Sequence, residues 1–372
     1  MGKNVLITGG AGFIGSHLSD HLLKNGYRVK VLDNLNEQVH GIGHHRPSYV
    51  DPDVELIVGD VRDRDAVDNA IRDIDIVFHF AARVGVGQSM YEISQYTDVN
   101  NLGTAVILEA IIKYPVEKLV VASSMSVYGE GSYRKTNGET VPGHERKIED
   151  LRRGSWELKD ELNNIMHPVA TSESKIPALS SVYALSKYDQ ERLCLIAGRA
   201  YNFPVVALRF FNVYGTRQAL SNPYTGVLAI FASRLLNNRS PLLYEDGNQR
   251  RDFVNVRDVA QACLSACLKN EANGEVINIG SGKAYTIKEI SQRLAKIMNK
   301  TEYDPKITLT YRAGDIRHCF SDISKAQRLL GFSPSVDLDD GLTELTEWLT
   351  MQKADDGFEL AGKELEKRGL IV

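Results

Sequence analysis

The chain has 372 residues, of which 43% are hydrophobic and 25% charged, as in an ordinary globular protein. Its formal net charge of −4 gives no electrostatic reason to expect a nucleic-acid partner, and no apolar run is long enough to span a membrane. The four cysteines show no CxxC pairing and no accompanying His cluster, and the N-terminus shows no signal peptide. We therefore expect reduced thiols, no metal site and a cytoplasmic protein.

The first predicted elements form a strand–helix–strand unit. Residues 3–8 (KNVLIT) are a short apolar run with β-branched side chains, residues 16–26 (SHLSDHLLKNG) show helical periodicity that ends at a glycine, and residues 27–33 (YRVKVLD) form a second strand. Such a unit requires parallel strands and a right-handed crossover. The order predicts a nucleotide-binding α/β fold.

The turn between this first strand and helix is rich in glycine. Gly10, Gly12 and Gly15 give G-x-G-x-x-G, and Gly9 begins an overlapping G-x-x-G-x-x-G. Glycine lets the backbone approach a pyrophosphate, and the helix N-terminus offers free N–H groups. Asp33 follows 18 residues after Gly15, where a carboxylate can bind the adenosine ribose hydroxyls and repel a 2′-phosphate. The pattern predicts a site for NAD rather than NADP.

Strand and helix patterns continue to alternate as far as Ser124. The segments are VELIVGD (54–60), RDAVDNAIRDI (64–74), DIVFHFAA (75–82), NNLGTAVILEAIIKY (100–114) and EKLVVASS (117–124). This alternation predicts a Rossmann-like, doubly wound parallel sheet.

A long polar segment, residues 130–178, follows this strand. Loops of this length are usually functional or disordered. Two interpretations stay open: a surface excursion, or a lid or wall over the substrate pocket. The second is motivated by the position of the segment between Ser124 and the Tyr–Lys pair that comes next.

Tyr183 and Lys187 lie four residues apart in the helical pattern of residues 180–192 (SSVYALSKYDQER). This spacing puts both side chains on one helix face. A nearby ammonium group favours the phenolate and lowers the pKa of the phenol, so Tyr183 could act as a general base near neutral pH.

The second half of the chain loses the regular alternation. Residues 204–215 (PVVALRFFNVYG) read as a further strand that leads out of the sheet, with Arg209 and Asn212 near its end, and a mixed region follows. We expect an NAD-binding domain with an insertion at about 130–178, and a smaller mixed α/β substrate-binding domain. The first comprises residues 1–213 and 251–282, the second residues 214–250 and 283–372.

Nine motifs in this order resemble the extended short-chain dehydrogenase/reductase family, specifically its nucleotide-sugar epimerases, over most of residues 3–335. They are TGGAGFIG, GDVRD, HFAA, NNLGT, ASSMSVYG, YALSK, RFFNVYG, RDFVNVRDVA and RAGDIRH.

The resemblance implies a Ser124/Tyr183/Lys187 catalytic triad beside tightly held NAD. It also implies a homodimer built from the helices that begin near Asn100 and Tyr183. The implied NAD contacts are Gly9, Gly12, Phe13, Ile14, Gly15, Asp33, Asn34, Asp60, Val61, Ala81, Ala82, Asn100, Ser123, Tyr183, Lys187 and Phe210. The implied contacts to a dTDP- or UDP-linked sugar are Ser124, Ser126, Tyr183, Asn212, Tyr244, Arg251 and Arg312.

The implied reaction is inversion at C4 of the sugar through a transient 4-keto intermediate. The runs GVGQSMYEI, SNPYTGVLAIF and ELEKRGLIV, with the long polar segment, look most like the dTDP-L-rhamnose 4-epimerases, which make dTDP-6-deoxy-L-talose. UDP-glucose or UDP-N-acetylglucosamine 4-epimerase is an alternative. A 4,6-dehydratase or decarboxylating relative would need acids after the catalytic Ser, where Met125 and Ser126 stand. Asp33 opposes an NADP-dependent sugar reductase.

Overall fold

The computed structural model describes residues 2–219, 226–312, 314–351 and 358–371, with the backbone alone for residues 358–361. Residues 221–225 of the SNPYTGVLAIF run and residue 313 of the RAGDIRH motif lie outside the described residues. The strands in chain order are β1 (Asn4–Thr8), β2 (Arg28–Asp33), β3 (Glu55–Val58), β4 (Ile76–His79), β5 (Lys118–Ser124), β6 (Ser132–Arg134), β7 (Thr140–Pro142), β8 (His167–Val169), β9 (Val205–Phe210), β10 (Asn212–Tyr214), β11 (Leu242–Leu243), β12 (Arg250–Arg251), β13 (Phe253–Asn255), β14 (Val276–Ile279), β15 (Tyr285–Thr286), β16 (Lys306–Ile307) and β17 (His318–Cys319).

The α-helices of the described residues follow in chain order. They are α1 (Phe13–Lys24), α2 (Glu37–His40), α3 (Arg64–Ile71), α4 (Val86–Ser89), α5 (Ile93–Tyr96), α6 (Gly103–Lys113), α7 (Ile148–Arg152), α8 (Val182–Tyr201), α9 (Val227–Leu236), α10 (Val256–Leu268), α11 (Ile287–Ile297), α12 (Ser324–Leu330), α13 (Leu338–Thr350) and α14 (Phe358–Lys367). Short 3₁₀ turns occupy Met125–Tyr128 and Asn270–Ala272, and a π-helical turn occupies Thr97–Leu102.

The predicted doubly wound sheet is confirmed. Within the described residues, seven parallel strands form one sheet in the order β14-β9-β5-β4-β1-β2-β3. The strand order reverses between β1 and β4, and ligands of such sheets bind at the carboxyl ends of strands beside this reversal. The predicted strand of residues 204–215 proves to be two strands, because β9 stays in the sheet while β10 pairs with β13 outside it.

Helices cover both faces of this sheet. On one face α1 and α10 pack against the strands, and on the other α3, α6 and α8 do so. Cys263 and Cys267, four residues apart on α10, both lie in the core of the first face. The order strand–helix–strand therefore produces two buried layers around one sheet, and the carboxyl edge of the sheet stays open between them.

The second half builds a smaller region beside this edge. Helices α9, α11 and α13 enclose an apolar core of their own, and short strands pair as β10-β13, β11-β16 and β15-β12-β17. No helix in the described ranges is both long and apolar enough to span a lipid bilayer.

The polar segment 130–178 is folded. Strands β7, β6 and β8 form a small antiparallel sheet. Other residues of the segment contact the second half of the chain. Thr171 bridges to Ser321, and Trp156 and Leu151 pack with Tyr311. The segment is therefore tied to residues 311–321.

Candidate active site

The glycine turn between β1 and α1 is packed too closely to accept side chains. Gly9 has a φ of 70°, and a Cβ at this position would lie 2.8 Å from the backbone nitrogen of Ala81. A Cβ on Gly15 would lie 2.5 Å from the carbonyl oxygen of Gly9. Gly12 caps α1 and has no side chain to occupy its N-terminus. The turn thus fits the pyrophosphate of NAD, which the N-terminal N–H groups of a helix bind favourably.

Asp33 ends β2 next to this turn. Its carboxylate accepts hydrogen bonds from the backbone N–H groups of Ala11 (3.0 Å) and Leu35 (2.9 Å). Burial raises the pKa of Asp33, and these hydrogen bonds together with His40, 3.7 Å away, act in the opposite direction. The backbone bonds orient the carboxylate toward the glycine turn, where it can accept the ribose hydroxyls of NAD.

Asp60 and Asn34 lie beside Asp33 and contact each other. Asn34 Nδ2 donates to Asp60 Oδ2 at 3.0 Å, and Arg62 donates to both oxygens of Asp60 at 2.8 Å. The hydrogen bonds from Arg62 are the main reason why the pKa of Asp60 is lowered to about 2. Arg62 was missed in the sequence analysis, although it lies inside the GDVRD motif.

The other positions predicted to contact NAD follow the same edge of the sheet. Phe13 and Ile14 begin α1, Val61 follows β3, Ala81 and Ala82 follow β4, Ser123 lies in β5, and Phe210 ends β9. The rings of Phe210 and Phe80 meet edge to face at 5.9 Å, which fixes the ends of the neighbouring strands. Their contacts with NAD stay predictions.

The structure brings Ser124 and Tyr183 together. Ser124 ends β5, caps the 3₁₀ turn Met125–Tyr128, and lies close enough to Tyr183 for its hydroxyl to act on the pKa of the phenol. Ser126 Oγ donates to Ser124 Oγ at 2.9 Å, so the two predicted sugar contacts also adjoin. Tyr183 lies in the first turn of α8, and its backbone N–H donates to Ser89 Oγ at 3.0 Å, a contact that no sequence motif indicated.

Burial controls the ionisation of the Tyr–Lys pair. The pKa of Tyr183 is raised, because removal from water disfavours the phenolate more than the nearby hydroxyl of Ser124 favours it. The expectation of a lowered pKa is therefore wrong for this structure. Burial also lowers the pKa of Lys187 to about 8, since the ammonium is the charged form that loses solvation. Lys187 Nζ donates to Gln190 Oε1 at 2.6 Å.

A buried polar network supports this helix from behind. Asn100 Nδ2 donates to Ser186 Oγ at 2.9 Å, and Asn100 Oδ1 accepts from the backbone N–H of Arg83 at 2.7 Å. Gln190 Nε2 donates to Thr104 Oγ1 at 2.9 Å. Asn100 is therefore bonded to α8, and its predicted role at the site stays a prediction, whereas Gln190 and Thr104 were not recognised from the sequence.

Met125 lies in an apolar environment, and its side chain has no group that can transfer a proton. It is 8% exposed and belongs to an apolar cluster with Val127, Phe211 and Ile316. Because this cluster joins the 3₁₀ turn after Ser124 to the second half of the chain, it brings Ser124 toward the predicted substrate residues.

Three predicted substrate residues lie around Asp315, which the sequence analysis did not single out. Arg312 donates to Asp315 Oδ2 from Nε (3.2 Å) and Nη2 (3.0 Å), and its guanidinium lies 4.7 Å from the centre of the Tyr244 ring. Arg251 Nη2 is 4.0 Å from Asp315 Oδ1. Asn212 Oδ1 is buried and has no hydrogen-bond partner among the described residues. An orphaned acceptor and two arginines fit a polar, phosphate-bearing ligand.

The C-terminal residues also reach this region. Ile371 forms an antiparallel bridge with Arg312, and the guanidinium of Arg368 lies 4.3 Å from the centre of the Tyr91 ring. Since Tyr91 follows α4 of the first half, the tail contacts both halves of the chain.

Comparison with known proteins shows the family of this chain. The model of the NAD dependent epimerase/dehydratase family matches residues 5–148 and 163–280. The dTDP-L-rhamnose 4-epimerase of Burkholderia thailandensis is 36% identical over 94% of this chain and 96% of that protein.

Two solved structures extend this comparison. UDP-glucose 4-epimerase of Thermotoga maritima with UDP-glucose has a TM-score of 0.75 and 31% identity, over 93% of this chain and 98% of that one. UDP-glucuronic acid 4-epimerase of Bacillus cereus, with UDP-glucuronic acid and NAD, has a TM-score of 0.76 and 29% identity, over 93% and 99%. The chain therefore belongs to the NAD-dependent epimerase/dehydratase family, and within it to the nucleotide-sugar 4-epimerases, which are isomerases.

Proposed function

We propose that the protein inverts C4 of dTDP-L-rhamnose, through a transient 4-keto sugar, to give dTDP-6-deoxy-L-talose. The observation that carries the proposal is the proximity of the Ser124 and Tyr183 hydroxyls, with Met125 packed into an apolar cluster next to Ser124. This arrangement offers a base for a sugar hydroxyl but, at position 125, no acid for an elimination.

In this mechanism Tyr183 takes the proton from the sugar 4-hydroxyl and later returns it, while Ser124 hydrogen-bonds the reacting oxygen. NAD, when bound, supplies a nicotinamide that reversibly accepts hydride from C4. Gly12, Gly15 and Asp33 hold the dinucleotide, and Lys187 binds the ribose next to the nicotinamide and favours the phenolate of Tyr183 through its charge.

On the substrate side, Arg312 and Arg251 bind the diphosphate, and Tyr244 stacks on the base. The side-chain amide of Asn212 donates or accepts a hydrogen bond where the sugar joins the phosphate. A fork of N–H donors suits a diphosphate. The 36% identity with a dTDP-L-rhamnose 4-epimerase supports the choice of substrate.

UDP-glucose or UDP-N-acetylglucosamine 4-epimerase is the second candidate, because solved relatives of similar fold bind UDP-sugars. A 4,6-dehydratase is the third candidate, and the position of Met125 speaks against it.

The homodimer and the cytoplasmic location belong to the same proposal. Leu185, Leu193 and Ile196 on α8 and Ile112 on α6 are exposed apolar side chains on the two helices expected to pair. All four cysteines are buried free thiols, as in a reducing compartment.

The test is incubation of the purified protein, without added cofactor, with each of dTDP-L-rhamnose, UDP-glucose and UDP-N-acetylglucosamine, followed by NMR. Inversion of dTDP-L-rhamnose at C4 with no net NADH is the expected result. Conversion of a UDP-sugar but not of dTDP-L-rhamnose would overturn the proposed substrate. A stable 4-keto-6-deoxy product would overturn the epimerase mechanism.

A further inference from the structure

We propose that the segment 130–178, called the insertion below, positions the arginines that bind the substrate diphosphate, with Arg146 as its central positioning residue. The inference rests on the proposed nucleotide-sugar function. The insertion, in this proposal, does not act as a cover over the pocket. It holds the loop 311–318, of which residue 313 lies outside the described residues.

Arg146 is the contact that joins the insertion to this loop. Its side chain is 5% exposed, and Nη2 donates to the carbonyl oxygen of Asp315 at 3.0 Å. The same nitrogen lies 2.8 Å from Glu245 Oε1, and Nε lies 3.3 Å from Glu130 Oε1. One guanidinium therefore fixes Asp315, the partner of Arg312, and Glu245, the residue after Tyr244.

Glu130, at the start of the insertion, holds the next residues of the loop. Its carboxylate accepts the backbone N–H groups of Arg317 at 2.7 Å and of His318 at 3.2 Å. His318 Nε2 in turn lies 2.9 Å from Glu157 Oε2, again a residue of the insertion. The backbone of the loop is thus held at three successive points, residues 315, 317 and 318.

Arg317 carries the buried charge that makes these contacts costly to break. Its side chain is 0% exposed and contacts Glu157, Glu245 and Asp246 at 2.5 to 2.8 Å. Removing one partner of a buried ion pair leaves an uncompensated charge. The loop and the insertion are consequently coupled in one arrangement.

The diphosphate arginines depend on this loop. Arg251 Nη1 donates to the carbonyl oxygen of Arg317 at 3.0 Å, and its Nη2 donates to that of Ile316. Arg312 is held by Asp315. Both guanidinium groups are therefore oriented by backbone that Arg146 and Glu130 hold from the other side. Arg146 itself acts only through these groups.

The test compares Arg146→Met, Arg146→Lys and the control Arg152→Met, an exposed arginine of the same insertion, in the NAD-loaded protein. We expect Arg146→Met to weaken the binding of dTDP and UDP and to raise KM about tenfold or more, while kcat changes less than about twofold, because lost positioning of a non-reacting group is lost uniform binding. Arg146→Lys should rescue part of the affinity, and Arg152→Met should match the wild type.

Glu157→Gln, at a half-exposed position, gives the same test if Arg146→Met does not fold. A fall in kcat that matches the rise in KM, or unchanged affinity for both nucleotides, would overturn the inference. Binding of neither dTDP nor UDP by the wild-type protein would instead overturn the proposed function, so the two failures are distinguishable.

Discussion

Ser123 donates its hydroxyl to Glu191 Oε2 across 2.7 Å, one residue before Ser124. Arg209 donates to the same carboxylate from Nε at 2.9 Å and from Nη2 at 2.7 Å. The guanidinium of Arg209 also lies 4.7 Å from the ring centre of Tyr128, which ends the 3₁₀ turn after Ser124. A buried ion pair thus fixes the backbone on both sides of Ser124.

We expect Glu191→Gln to destabilise the protein by about 3–5 kcal/mol, because Glu191 is fully buried and the change leaves the charge of Arg209 uncompensated. The double variant Glu191→Gln/Arg209→Met should recover part of that loss, and Ser123→Ala should cost only about 1–2 kcal/mol. Denaturant unfolding measures all three. Equal stabilities of the single and double variants would contradict this account.

Tyr183→Phe should lower the turnover rate by about 10²–10⁴-fold, while the protein still retains NAD. The hydroxyl is the group that moves the proton, whereas the ring, edge to face with Tyr96 at 6.4 Å, maintains the packing. The measurement is the initial rate together with the NAD content of the purified protein. Tyr201→Phe, at the exposed end of α8, is the matched control and should keep full activity. An active Tyr183→Phe variant would refute the role of Tyr183 as the base.

A plot of log kcat/KM against pH should lose one unit of slope at about pH 8. The pKa of Lys187 is lowered to about 8 by burial, so its ammonium is present below that pH and lost above it. The pKa of Tyr183 is raised, so its phenolate becomes more abundant with pH and the rate should rise about tenfold per pH unit below pH 8. If the ammonium is also needed, its loss offsets this rise above pH 8 and the profile levels off. Gln190→Glu places a negative charge on the residue that Lys187 Nζ contacts, so it should raise the pKa of Lys187 and move this break to higher pH. A profile that continues to rise through pH 8 without a break would argue against a required ammonium.

The parts of the site that the sequence predicted depend on short spacing. The G-x-G-x-x-G turn and the Tyr183–Lys187 pair each lie within one turn or helix, where spacing determines geometry. Alternating apolar runs likewise predicted the parallel sheet, because buried strands and helices have different periods.

Contacts between distant segments could not be predicted in this way. Arg146 and Asp315 are 169 residues apart, and Glu191 meets Arg209 across two secondary-structure elements. The predicted direction of the pKa shift of Tyr183 was wrong for a related reason. Its direction depends on burial by the whole fold, whereas the sequence showed only the neighbouring ammonium.

His79 should make the folded protein sensitive to mild acid. Its ring is fully buried between Thr8 Oγ1 at 2.7 Å and Thr104 Oγ1 at 2.9 Å, and burial lowers its pKa from 6.5 to about 3. Between these two values the unfolded chain binds a proton that the folded protein does not, so stability is complete above pH 6.5 and is lost as the pH falls.

His79→Gln removes this titration. It should be less stable than the wild type at neutral pH, because it loses hydrogen bonds, but the difference should narrow by about 1 kcal/mol per pH unit between pH 6.5 and 5. Denaturant unfolding of both proteins across that range provides the measurement. The pKa of His17 is also lowered, to about 4, but His17 is present in both proteins and cancels in the comparison. Parallel stability curves would show that His79 titrates equally in the folded and unfolded states, contrary to its burial between two threonine hydroxyls.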